Sequence, residues 1–106
     1  MPNKKLPKET KRYYERELHQ YWSNKNKLKH IEKMNTRTVL FLTERINCIE
    51  AVINKLDDFE KEVFYLIFRD NASWLYCKNI KNISKTTYYN ILNKCIYMLA
   101  EETGEI

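Results

Sequence analysis

A chain of 106 residues carrying 19 lysines and arginines against 14 acids, with net charge +5 and a 43% hydrophobic share, is one small domain or a small domain with a helical extension. That size excludes a multidomain enzyme. No apolar run approaches the roughly 20 residues of a membrane-spanning helix, and the basic amino terminus leads into Lys11, Arg12, Glu15, Arg16 and Glu17, so neither a membrane partner nor a secretory signal is expected.

One glycine and two prolines leave little punctuation for hairpins, while apolar residues recur at helical spacing, so the fold is expected to be all-α. Pro7 sits where a first-turn proline is tolerated. From Lys8 to about Lys33, Tyr14, Leu18, Tyr21, Leu28 and Ile31 fall on one face of a long, basic, amphipathic helix. Met34 and Asn35 break it. Val39, Leu42, Ile46, Ile49, Ile53 and Leu56 then follow the spacing of a helix that packs lengthwise on another. The partner is helix one folded back as an antiparallel hairpin, or a second copy of the chain as a homodimer.

Asp57 followed by Glu60 resembles a capping box that starts a third helix, with Phe59, Val63, Leu66 and Ile67 as its core face and Asp70 and Asn71 at its end. Ser73 caps a short fourth helix carrying Trp74, Cys77 and Ile80. Asn82 is assigned to a tight turn because Asn tolerates positive φ better than other non-glycine residues. Ile83 plugs that turn into the core. Ser84 caps the last helix, which runs to about Glu102 with Tyr88, Ile91, Leu92, Cys95, Ile96 and Leu99 inward, and Gly104 stops it. The domains expected are 1–56, a basic helical hairpin for oligomerisation or partner contact, and 57–106, a three-helix unit containing a helix-turn-helix.

A helix-turn-helix places the N-terminal part of its second helix in the major groove of double-stranded DNA. The residues that this puts forward are Ser84, Lys85, Thr86, Thr87, Tyr89, Asn90, Asn93 and Lys94. Asn90 suits a bidentate contact to adenine, Thr86 or Thr87 a thymine methyl, and Lys85 and Lys94 phosphates. Residues 71–100 contain four lysines and no Asp or Glu, which favours such a surface locally. The charge is nevertheless uneven: residues 1–56 hold 13 basic and 6 acidic side chains, a balance of +7, and residues 57–106 hold 6 and 8, a balance of −2. The basic first helix is therefore read either as a grip on flanking DNA backbone or as a contact for an acidic partner.

The order of these motifs resembles phage transcriptional activators of the RinA and ArpU type, whose C-terminal part is similar to region 4 of the sigma-70 family. The resemblance rests on Leu6 to Leu18, on Arg37 to Ile46, on Ser73-Trp74 through Ile83-Ser84-Lys85-Thr86-Thr87-Tyr88-Tyr89, and on Met98 to Gly104. It implies a DNA-binding activator of late, packaging or lysis genes that works at promoter DNA with bacterial RNA polymerase, in the cytoplasm of the host at the nucleoid. Other classes with the same ingredients are a small terminase-like packaging subunit and a sigma-like polymerase adaptor with weak DNA binding. No catalytic residue, metal site or cofactor is expected, because paired carboxylates, phosphate-cradling glycines and ligand-spaced Cys or His are lacking. Cys48, Cys77 and Cys95 are read as small buried hydrophobes, and His19 and His30 as surface residues.

Overall fold

In the computed structural model, which describes residues 5–106, all regular structure is helical. Helix α1 (Lys8–His19) begins directly after Pro7, whose carbonyl accepts from the Lys11 amide. It ends at Gln20, whose N–H is shared between the carbonyls of Arg16 and Glu17. Helix α2 (Tyr21–Lys27) follows, then a 3-10 stretch (Leu28–Lys33) bent at His30. The single long helix expected over 8–33 is thus three pieces. Tertiary contacts account for the break. The change of direction lets Trp22 pack on Phe64 and Tyr65, with ring centroids 6.0 and 5.9 Å apart, and lets the Tyr21 hydroxyl donate to Glu50 at 2.8 Å. Tyr14, Leu18 and Tyr21 are buried as the spacing predicts; Leu28 is half-buried and Ile31, beyond the bend, is exposed.

Asn35 caps helix α3 (Thr36–Lys55) by accepting from the Thr38 amide at 2.8 Å. Its inner seam is Leu42, Ile46, Ile49, Ile53 and Leu56 as expected, with Val52 added and Val39 only half-buried. The seam packs mainly on the last helix and on α2, whereas α1 lies chiefly along the last helix. Asp57 and Glu60 close a full capping box at the start of helix α4 (Asp58–Phe64), which continues as a π-helical turn (Tyr65–Arg69). The buried arc here is Val63, Phe64, Ile67 and Phe68, with Leu66 half-buried. Phe59, expected in that core face, lies roughly a third of a turn away from its centre and is exposed.

Asn71, at φ 54°, reverses the chain, and Ser73 caps helix α5 (Trp74–Lys81). The inner stripe of α5 is Trp74, Cys77 and the aliphatic stem of Lys81, so Ile80, expected inward, faces solvent. Helix α6 (Lys85–Glu102) buries Tyr88, Ile91, Cys95, Ile96, Leu99 and Ala100. Gly104, at φ 87°, ends it in a Schellman motif: its N–H bonds the Glu101 carbonyl, and the Glu105 N–H bonds that of Ala100.

One hydrophobic core joins both halves of the sequence, with Leu18, Ile49 and Val52 meeting Phe64, Phe68, Ile96 and Leu99. Polar clasps reinforce α1 against the end of the chain. The Leu6 amide donates to the Tyr97 hydroxyl at 3.2 Å, and the Tyr14 hydroxyl lies 2.9 Å from that of Thr103. Cys77 and Cys95 are buried and Cys48 is half-buried; burial pushes the Cys95 thiol up to about 12, so it behaves as a small hydrophobe. His19 is half-buried, edge-on to Phe68 at 4.9 Å.

Candidate nucleic-acid interface

Helices α5 and α6 are joined by three residues, each with a defined task. Asn82 adopts the left-handed conformation (φ 54°, ψ 43°), and its N–H bonds the Lys78 carbonyl at 2.8 Å. Ile83 is buried. Ser84 is extended, and its Oγ accepts from the Thr87 amide at 3.1 Å. The Tyr88 hydroxyl donates to the Ala72 carbonyl at 3.2 Å, pinning α6 to the segment that enters α5, and burial raises that phenol's pKa.

This local geometry decides what α6 presents. Lys85, Thr86, Tyr89, Asn90 and Asn93 are exposed along one outward arc. Tyr89, 43% exposed, stacks edge-on against buried Tyr88 with centroids 4.9 Å apart, so its ring is steadied while the residue stays open to solvent. The other three expected residues are engaged. The hydroxyls of Ser84 and Thr87 lie 3.0 Å apart in the cap, and Thr87 is half-buried. Lys94 donates to Glu60 of α4 at 2.7 Å, and that hydrogen bond raises the pKa of its ammonium.

Glu62 of α4 holds Lys81 in the same way. Two of the four lysines in the acid-free segment are therefore neutralised by carboxylates that lie outside it in sequence and against it in space. Lys78 and Lys85 have no ion-pair partner among the described residues. Their ammonium groups instead lie over the Trp74 ring, 5.5 and 5.6 Å from its centroid. A cation over an indole face keeps its charge while losing conformational freedom, which suits it to meet an anion. Neither Lys78 nor Trp74 is among the eight residues that the sequence puts forward for this surface; their i, i+4 spacing on one helix is the signal that joins them to it.

A second basic surface lies on α1, where Arg12 and Arg16 are exposed and line a shallow depression with Glu15 and His19. Neither arginine is ion-paired among the described residues. His19 stacks on Phe68, so this surface borders the segment that leads into α5.

The class defined to this point is an all-helical protein in which no described helix is long and apolar enough to cross a membrane. Among known proteins, no family model, curated protein or solved structure matches the chain.

Proposed function

We propose that this protein is a DNA-binding transcriptional regulator of a phage or prophage, in which α5, the turn and α6 form a helix-turn-helix that enters the major groove of double-stranded DNA. The observation that carries the reading is the turn itself: a left-handed Asn82 and a buried Ile83 between two serine-capped helices, with an exposed, acid-free arc facing outward. In this reading Asn90 and Thr86 address base edges, Tyr89 and Asn93 flank them, and Lys85 and Lys78 meet phosphates at the N-terminus of α6. Ser84 and Thr87 act through the cap. The resemblance to RinA- and ArpU-type activators, with its sigma region 4-like ending, supports promoter DNA as the target and RNA polymerase as a partner.

A second reading, a polymerase adaptor with weak DNA binding, is favoured by one observation: Glu60 and Glu62 neutralise Lys94 and Lys81. Fluorescence anisotropy with a labelled duplex across a salt series separates the two. A regulator that grips DNA loses affinity linearly in log–log against salt, with a slope of about −0.9 per phosphate contacted. Lys78→Glu with Lys85→Glu is expected to lower affinity at least about a hundredfold at low salt while leaving the far-ultraviolet circular dichroism unchanged. Unchanged binding by that double variant would sink the assigned surface; no salt-dependent affinity for any duplex would favour the adaptor.

A further inference from the structure

Arg37, Leu40, Phe41 and Glu44 stand at positions i, i+3, i+4 and i+7 of α3, so they form one stripe over two turns, opposite the buried seam of Leu42, Ile46, Ile49 and Ile53. All four are exposed. Leu40, at 65%, is the most exposed large apolar side chain described, and Phe41 stands at 48%. Arg45, in ion contact with Glu17 at 3.3 Å, braces the patch from beneath: its guanidinium lies 5.4 Å from the Phe41 ring centre and 5.7 Å from that of Tyr13 on α1. The apolar surface thus extends from α3 onto α1. Neither Arg37 nor Glu44 has an ion-pair partner among the described residues.

The order of charges along the stripe is self-complementary. The midpoint between Arg37 and Glu44 is also the midpoint between Leu40 and Phe41. A two-fold axis there sets two copies of α3 antiparallel, with each Arg37 against the partner's Glu44 and the apolar pairs stacked between them, as an isologous contact requires. A further exposed apolar face, Leu75, Tyr76 and Ile80 on α5, lacks this property, because α5 itself carries Lys78 and Lys81 and no acid to answer them.

We propose that the outer stripe of α3 is the surface on which a second copy of this chain docks, antiparallel about an axis between Leu40 and Phe41. Two helical turns bury less than the roughly 1,200 Å² at the lower bound of stable complexes, so the dimer is expected to be weak and reversible. Sedimentation equilibrium of the full chain, from about 1 µM to about 1 mM, reads this directly. The wild type is expected to show a reversible monomer–dimer equilibrium, which Leu40→Ser with Phe41→Ser removes. Arg37→Glu alone and Glu44→Arg alone each weaken it about tenfold, by placing like charges together twice. The combined Arg37→Glu, Glu44→Arg variant restores it to within about threefold, since the exchanged charges again meet opposites. Circular dichroism is expected to be unchanged in every variant, because these side chains face solvent. A monomer at all concentrations, a failed rescue by the charge exchange, or a dimer lost with Leu75→Ser and Ile80→Ser but not with the α3 changes overturns the proposal.

Discussion

Glu60 makes two hydrogen bonds with one carboxylate: Oε1 accepts from the Asp57 amide at 3.0 Å, and Oε2 accepts from Lys94 at 2.7 Å. The first completes the cap of α4 and the second removes a charge from α6. The two roles separate by substitution. Glu60→Gln retains an acceptor for the amide, as capping boxes allow, but releases Lys94. Under the proposed DNA-binding reading, the salt slope of duplex binding is expected to steepen by about one phosphate contact, with the thermal midpoint little changed. Glu60→Ala keeps the Asp57 cap but loses its reciprocal bond as well, and is expected to cost about 0.5 kcal/mol of stability in urea melts. An unaltered salt slope for Glu60→Gln would mean that Lys94 does not face phosphate.

At the scale of the element, the turn between α5 and α6 depends on one backbone conformation. Asn82→Gly keeps the left-handed geometry without steric cost and is expected to be neutral or slightly stabilising, whereas Asn82→Ala is expected to cost about 1 kcal/mol in chemical denaturation. Equal stability of the two would show that the turn has rearranged. Asn82 could be placed from the sequence because left-handed tolerance is a property of the residue itself. The same holds for the caps at Asp57, Ser73 and Ser84 and for the stop at Gly104, where each signal and its target lie within a few residues. The break at Gln20 was not legible, since neither glycine nor proline marks it; it answers to the packing of Trp22 on Phe64, more than forty residues away. The pairing of Lys94 with Glu60 was hidden for the same reason, and with it the charge of the α6 surface. Phe59 and Ile80 were misplaced because helical spacing shows which residues share a face without showing how wide the covered arc is.

For the whole molecule, the decisive fact is the single core. Helix α6 leans on α3 and α1, and Phe64, Phe68, Ile96 and Leu99 are closed by Leu18, Ile49 and Val52. Residues 57–106 expressed alone are therefore expected to retain some helix but to lack a cooperative thermal transition, while the full chain melts in one step. A sharp, reversible melt of that fragment by circular dichroism would refute this dependence. The shared core also bears on turnover. The clasps of Leu6 to Tyr97 and of Tyr14 to Thr103 make the first helix a strap over the last, so a protease that clips α1 is expected to loosen α6 without cutting it. The lifetime of the surface that α6 presents is then set by the least protected bond in α1.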